Sequence, residues 1–364
     1  MRVLVLNPGS STLKAALVEN ARSAADALIE WPAGEPQASA VVASALEQLP
    51  PDADAVGYRV VHGGTEYRAP TPVDDRLLER VEALDELAPL HNRRAVAVMR
   101  AGLAALPDLP HVACFDTAFH RDLPEEGWRY PIPDEWTDRF AIRRYGFHGL
   151  SVAWSVRRAA ELLERPAAEL RLVVAHLGSG CSVTAVDGGR SAWTSMGYTP
   201  YEGPMMGTRS GSVDPGILLR IVHDGVSPDE LADGLAHRSG LLAIAGTSDA
   251  RAIERAVQGG DERARLALAM FTGQVAATIA AAATALPGLD AVVFTGGIGT
   301  HSATFRAAIV SRLASVGLPA AAAEREGDAV LASGPPAVVV VEAREDLVIG
   351  AEVEARLRQP DASG

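Results

Sequence analysis

Arg171-Leu-Val-Val-Ala-His176-Leu-Gly-Ser-Gly180-Cys-Ser-Val-Thr-Ala185 reads as a strand, a Gly/Ser turn and a second strand. Val173 to His176 is apolar enough for a buried strand, Leu177 to Gly180 breaks the run, and Cys181 to Val186 resumes it. The same order opens the chain: Val3 to Leu6, the turn Asn7-Pro-Gly-Ser-Ser11, then Thr12 to Glu19. The two copies lie about 170 residues apart, the period of two similar α/β domains. The first turn offers backbone N–H groups, two hydroxyls and, just beyond, Lys14, which is equipment for holding phosphate oxygens. It is not a P-loop, because the G-x-x-x-x-G-K-[ST] spacing is absent and no helix follows.

Working outward, residues 38 to 49 read as a helix and Ala55 to Val61 as a strand. Arg59 inside that apolar strand calls for an anion nearby. Leu77 to Leu90 reads as an amphipathic helix, followed by another to Leu106. His111 to Phe115 is a strand with Asp116 at its C-terminal end, the end that faces the ligand crevice of open α/β sheets. Residues 121 to 145, rich in Pro, Trp and charge, read as an irregular lid or connector. Further on, Gly246 to Arg251 marks a helix start. Val292 to Thr295 is a strand running into Gly296-Gly-Ile-Gly299, a turn that a nucleotide could approach closely. Val338 to Val341 is a last buried strand.

Ser195 to Pro215 is interrupted by Gly and Pro yet carries Met196, Met205, Met206, Tyr198 and Tyr201. Its one positive charge, Arg209, stands between Gly207 and Gly211. Two readings fit: a cleft wall presenting a guanidinium to an anion, or an ordered loop whose Arg makes a structural salt bridge.

The 364 residues favour two domains with ample core, and 48% apolar content describes an ordinary globular chain. No unbroken apolar run reaches the ~18 residues of a membrane span. The net charge of −13 argues against nucleic acid and anionic membrane as partners, though a local Arg cluster can still hold a small anion. Cys114 and Cys181 provide neither a disulfide framework nor a metal spacing, and a reducing cytoplasm is the simple inference. Lys14 is the single lysine among 33 basic residues, which points to a position that needs a compact ammonium.

Ten short runs, in order, resemble the acetate kinase family across nearly the whole chain. They are Asn7-x-Gly-Ser-Ser-x-Leu-Lys14, Arg59-Val-Val-His-Gly-Gly64, Ala88-Pro-Leu-His-Asn92, Phe115-Asp-Thr-Ala-Phe-His120 and Arg144-Tyr-Gly-Phe-His-Gly149. They continue with His176-Leu-Gly-Ser-Gly180, Gly207-Thr-Arg-Ser-Gly211, Ser239-Gly-Leu-Leu242 with Ser248-Asp-x-Arg251, Phe294-Thr-Gly-Gly-Ile-Gly299 and Glu345-Asp-Leu347. The resemblance implies an α/β fold of two related ribonuclease H-like domains, of the actin, Hsp70 and sugar-kinase type, around a nucleotide cleft. The expected division is 1–148 and 149–349, with the helix 350–364 packing back on the first domain. It implies reversible phosphoryl transfer from ATP to acetate, giving acetyl phosphate and ADP, with Mg2+ (Mn2+ as the alternative ion), in a cytoplasmic homodimer.

Carried over residue by residue, the resemblance makes Arg59 and Arg209 the pair of arginines that hold the carboxylate and the transferring phosphoryl. His148 becomes the transition-state-stabilising histidine and His91 a more peripheral one. Asp116 takes the position of proton acceptor or donor; acetate is already ionised at neutral pH, so orienting the substrate or a metal-bound water suits it better. Asn7 and Glu345 fall on the Mg2+ positions. Lys14, His176, Leu177, Gly178, Ser179, Gly180, Asp249, Ala250, Arg251, Gly297, Ile298, Gly299, Thr300 and His301 fall on nucleotide-binding segments. Val61, Leu90, Phe147 and Pro200 fall on the pocket for the substrate methyl.

The chain departs from the family pattern at Ser179 (Asn in the family), Ser212 (Asp), Leu150 (Thr), Val152 (His), Thr300-His301 (Glu-Asn) and Arg344 (Asn). Ser212 removes a charge that could orient Arg209. Two alternatives follow: a kinase of the same family using propionate, butyrate or pyrophosphate, or a non-catalytic nucleotide-binding relative.

Overall fold

A computed structural model describes residues 1–9, 11–32, 37–84, 91–320 and 327–359. Its strands are β1 (Arg2–Pro8), β2 (Thr12–Glu19), β3 (Arg22–Glu30), β4 (Ala55–Val60), β5 (Thr71–Pro72), β6 (His111–Phe115), β7 (Arg171–Leu177), β8 (Cys181–Asp187), β9 (Arg190–Thr194), β10 (Ala291–Thr295), β11 (Ala329–Ala332) and β12 (Ala337–Val340). Its helices are α1 (Ala38–Gln48), α2 (Asp75–Ala83), α3 (Asn92–Ala105), α4 (Glu125–Trp128), α5 (Asp134–Phe140), α6 (Gly149–Leu162) and α7 (Pro215–His223). They continue with α8 (Pro228–His237), α9 (Gly240–Ala245), α10 (Ala250–Gln258), α11 (Glu262–Ala283), α12 (Gly296–His301), α13 (Ala303–Arg312) and α14 (Glu345–Arg358).

These elements form two compact units: residues 1–121, 147–150 and 344 onward in one, and 122–146 and 151–343 in the other. Each unit is built on one six-stranded sheet, ordered β3-β2-β1-β4-β6-β5 in the first and β9-β8-β7-β10-β12-β11 in the second. The two orders correspond strand for strand. In each, an antiparallel three-strand meander continues into two parallel strands and ends on an antiparallel edge strand. The repeated strand–turn–strand pattern is therefore the visible part of a repeated sheet.

In the first unit Val3 to Leu6 is buried throughout, as a parallel central strand covered on both faces requires. Helices α1 and α3 pack together over the sheet, and α14 packs on β1, β2 and β4. That approach needs two glycines: a Cβ at Gly57 would stand 2.7 Å from Ile349 Cγ2, and one at Gly350 would stand 2.7 Å from Val18 Cγ1. In the second unit α11 is packed by α9, α10 and α13 and rests on β7 and β8, burying Phe271, Val275 and Ile279. Among the described residues α11 is also the one helix long and apolar enough to cross a membrane, by length and composition alone.

Four details differ from the sequence reading. Residues 121 to 145 are not irregular throughout, because α4 and α5 form in them, and residues 122–146 group with the second unit. Gly296 to Gly299 is not a turn but the first part of α12, entered through the left-handed Gly296 (φ +77°). The helix expected at Leu77 to Leu90 begins at Asp75, capped by the Asp74 side chain, and ends at Ala83; Leu90 lies outside the described residues. Strand β3 carries too little β-branched character to be read, with mostly Ala and charge between Arg22 and Glu30.

Candidate active site

Three parallel strands of the first unit end on polar side chains. Asn7 lies near the end of β1, Arg59 one residue before the end of β4, and Asp116 directly after β6, in a 3-10 turn (Asp116–His120). Glu345, the first residue of α14, joins them. Asp116 Oδ2 accepts from Arg59 Nη2 at 2.6 Å and from Nε at 3.1 Å. Arg59 Nη1 lies 3.4 Å from Glu345 Oε2 and donates to Asn7 Oδ1 at 3.3 Å. The Asn7 amide donates in turn to Glu345 Oε2 at 2.8 Å.

Burial pushes the Asp116 carboxyl up; Arg59 pulls it back and Glu345 raises it again, leaving it at about 6. Burial also opposes the charge on Arg59, but the two carboxylates outweigh that and hold it firmly protonated. The Leu150 backbone N–H also favours the charged form of the Asp116 carboxyl. The arrangement answers the anion that Arg59 demanded of its strand, with two acids instead of one.

The segment after Tyr145 is locked to this cluster from below. His120 Nε2 donates to the Phe147 carbonyl at 3.0 Å, and burial lowers that imidazole to about 4, so it is neutral. A Cβ at Gly149 would stand 2.0 Å from the Asp116 carbonyl, so only glycine fits there. His148, between them, takes a left-handed conformation with φ of 57°. Such strain in a non-glycine residue marks a position fixed by its surroundings. Val61 and Phe147 are buried, with Phe147 edge-on to His62 at 5.4 Å. His91 precedes α3 as its N-cap residue, and Lys14 is exposed on β2 directly opposite Asn7.

In the second unit the nucleotide-segment residues converge. His176 pairs with Thr295 across β7 and β10, which brings the 177–180 turn beside the start of α12. A Cβ at Gly178 would lie 3.9 Å from the Gly297 nitrogen. His176 Nδ1 is 2.8 Å from the Ser151 hydroxyl. The Ser179 carbonyl accepts from Gly207 N–H at 3.1 Å, and Gly207 lies against Ser248, next to Asp249, whose side chain caps α10 by accepting from Arg251 N–H. Ile298 and Gly299 are buried in α12, and Thr300 Oγ1 reaches the Val341 carbonyl at 3.4 Å.

Arg209 lies in this unit, in the loop for which two readings were open. Its Nη1 donates to the Pro200 carbonyl at 3.2 Å and touches Met206 Sδ at 3.9 Å. Among the described residues it pairs with no carboxylate; burial lowers its pKa and only Tyr201 offsets that. Among the described residues no salt bridge holds Arg209, and its guanidinium, half-buried, is suited to an external anion. Ser212 does not point its hydroxyl at Arg209. It closes a ring with Gly203, accepting from Gly203 N–H at 3.0 Å while its own N–H donates to the Gly203 carbonyl at 2.8 Å.

Among the described residues no group of three or more His, Cys, Asp or Glu is gathered that could hold a metal. The oxygens that are gathered, Asn7 Oδ1 and the Glu345 carboxylate, with the Asp116 carboxylate across Arg59, are hard donors. They suit Mg2+, which keeps several waters and needs few protein ligands.

Two six-stranded sheets of one strand order, each with polar side chains or a glycine turn at the ends of its parallel strands, define a protein of the repeated α/β class. Comparison with known proteins is consistent. The model of the Acetokinase family matches residues 37–351, and the chain belongs to that family. It is similar to the acetate kinase of Synechococcus sp. (strain JA-2-3B'a(2-13)), 40% identical over 393 residues that cover 96% of this chain and 97% of the relative. Among solved structures it is similar to Porphyromonas gingivalis acetate kinase (32% identity, TM-score 0.87, 98% and 100% of the two chains). It is also similar to a propionate kinase from Francisella tularensis subsp. tularensis SCHU S4 (34% identity, TM-score 0.83, 96% and 98%).

The sequence reading did not single out His120 or the acid that meets Arg144. His120 stood in a quoted motif, whereas the partner of Arg144 is Glu202, 58 residues away.

Proposed function

We propose that the protein catalyses reversible, Mg2+-dependent phosphoryl transfer from ATP to acetate, giving acetyl phosphate and ADP. The observation that carries this reading is the buried cluster of Asn7, Arg59, Asp116 and Glu345 in a member of the acetokinase family. Phosphoryl transfer needs positioning and charge neutralisation more than covalent chemistry. Arg59 and Arg209 supply two planar forks that match a near-planar, oxygen-rich transition state. His148 donates to an equatorial oxygen of the transferring group, and His91 acts further out. Asp116 orients the acceptor or a metal-bound water; acetate arrives ionised, so no proton need be removed. Asn7 and Glu345 would hold Mg2+, which when bound neutralises phosphate oxygens.

Lys14, the turn His176 to Gly180, Asp249 to Arg251 and Gly297 to His301 bind the nucleotide in this reading. Val61, Phe147, Pro200 and Leu90 enclose the methyl group. The same reading makes the enzyme a cytoplasmic homodimer that engages neither nucleic acid nor membrane.

Propionate is the second acceptor, favoured by the near-equal likeness to a propionate kinase. One methylene discriminates by only about 1–3 kcal/mol. Trapping the acyl phosphate as a hydroxamate, with acetate, propionate and butyrate as acceptors and ATP and pyrophosphate as donors, tests both. Acetate with ATP is expected to give the highest kcat/KM; a panel with no turnover at all overturns the reading.

A further inference from the structure

Arg209 is held by the carbonyl of Pro200, so its direction depends on where the 195–203 arm lies. That arm is fixed by a network outside the residues given a role above. Glu202 is clamped through both oxygens: Oε1 accepts from Arg144 Nη2 at 2.7 Å, and Oε2 accepts from the Tyr130 hydroxyl. Arg144 Nη1 also donates to the Ser195 carbonyl at 3.0 Å, and its guanidinium lies 5.1 Å from the centre of the Tyr130 ring. The Tyr130 hydroxyl accepts in turn from Tyr198 N–H at 3.0 Å. The Gly197 carbonyl accepts from Tyr145 N–H at 3.0 Å. The network passes directly over Gly197, where a Cβ would stand 1.8 Å from both Glu202 Oε2 and the Tyr130 oxygen. Beyond Glu202, the Gly203–Ser212 ring closes the loop from the other side of Arg209.

Pro200 is therefore flanked at 198 and 202 by residues tied to Tyr130, with Arg144 holding the far end at Ser195. Nothing else among the described hydrogen bonds of Arg209 sets its direction except Pro200 and the soft contact with Met206. We infer that Glu202, gripped by Arg144 and Tyr130, is the positioning residue for Arg209. It keeps the Pro200 carbonyl where it directs the unpaired guanidinium toward the anion. The inference rests on the reading of Arg209 as an anion-binding group. Misplacing a catalytic group by about 1 Å can cost on the order of 10²-fold in rate.

A double-mutant cycle tests it, using Glu202→Gln, which keeps the size of the side chain and removes its charge, and Arg209→Lys, which keeps the charge and removes the fork. Glu202→Gln is expected to lower kcat/KM for acetate by about tenfold, and by less than about twofold in the Arg209→Lys background. A fall of equal factor in both backgrounds would mean a merely structural role and overturns the inference, as does an unchanged kcat/KM in Glu202→Gln alone. If Arg209→Lys itself retains the kcat/KM of the unmodified protein, the reading of Arg209 fails, and the inference with it. Tyr130→Phe, which removes one hydroxyl, serves in the same cycle should Glu202→Gln not fold; its expected fall is about threefold in the unmodified background and none in Arg209→Lys.

Discussion

The two sheets share an order of strands and differ in what stands at their ends. In the first, Asn7, Arg59 and Asp116 make a charged, mutually bonded cluster. In the second, the corresponding parallel strands end on His176 and Thr295 and lead into glycine turns and backbone groups. The arginines differ in the same way. Arg59 is held by two carboxylates, whereas Arg209 lies half-buried against a carbonyl and, among the described residues, meets no acid. A repeated scaffold has thus been given unlike chemistry, with a mutually bonded charge cluster in one copy and close backbone approach plus an arginine held by a carbonyl in the other. The side chains at strand ends, not the sheets, carry this division.

The largest expected effects test the arginines. Arg59→Ala and Arg209→Ala should each lower kcat/KM in the hydroxamate assay by at least about 10³-fold. Stability should then separate them. Arg59→Ala leaves Asp116 and Glu345 facing each other without a cation and should destabilise by about 3 kcal/mol in urea melts. Arg209→Ala removes a half-buried cation that meets no carboxylate among the described residues and should leave the melt unchanged or stabilise it by about 1 kcal/mol. Equal shifts in the two melts would break the contrast.

Carboxyl groups give the two units opposite responses to pH. Glu352, on α14, is pushed by burial from 4.5 up to about 7, with Cys114 and Arg121 pulling it down and Asp116 raising it. Its folded pKa is raised, so the folded state holds a proton that the unfolded chain has lost. Stability therefore falls as pH rises from about 4.5 to 7. Glu352→Gln should flatten that slope and stabilise the protein at pH 8 by about 2 kcal/mol.

Asp290, before β10, behaves in the reverse sense. Hydrogen bonds from Arg171 hold its carboxyl well below the usual range, Arg165 adds to them, and burial opposes. Its contribution is present above the ordinary carboxylate pKa and is lost as pH falls through and below that value. Both arginines are partly exposed, so Asp290→Asn should cost only about 1–2 kcal/mol at pH 7, and less near pH 3. The smallest effect is expected of Ser212→Asp. Its hydroxyl serves Gly203, not Arg209, so kcat/KM should stay within about twofold. A rise of tenfold would restore the idea that an acid there orients Arg209.

Much of this contrast could be read before the fold was known. The repeated strand–turn–strand pattern pointed to two like domains because apolar runs broken at Gly are a local signal. Asp249 at a helix start was equally local. Edge and meander strands were less legible: β3 mixes Ala with scattered charges, and β5 spans only Thr71–Pro72. At the site, residue identities were readable but pairings were not. Nothing in the order of residues says that Arg59 would meet Glu345, or that Arg144 and Tyr130 would close on Glu202. Such contacts depend on chain segments brought together only by the completed sheet, and a buried acid such as Glu352 looks in the sequence like any charge on an amphipathic helix.

The packing of α14 on β1, β2 and β4 has a consequence for the order in which the molecule can assemble. Strand β1 is made before the second unit, but the helix that covers it is separated from it by every residue of that unit. The apolar face formed by Val3, Gly57 and Val18 must wait, exposed, until Ile349 and Val353 have been made. The second unit has no such dependence on the opening strands for its own sheet. It can complete while the first is still open, the reverse of the N-terminal-first sequence that synthesis would otherwise impose. Premature termination near residue 343 would leave a finished second sheet attached to an uncovered first one, a product suited to aggregation or to degradation.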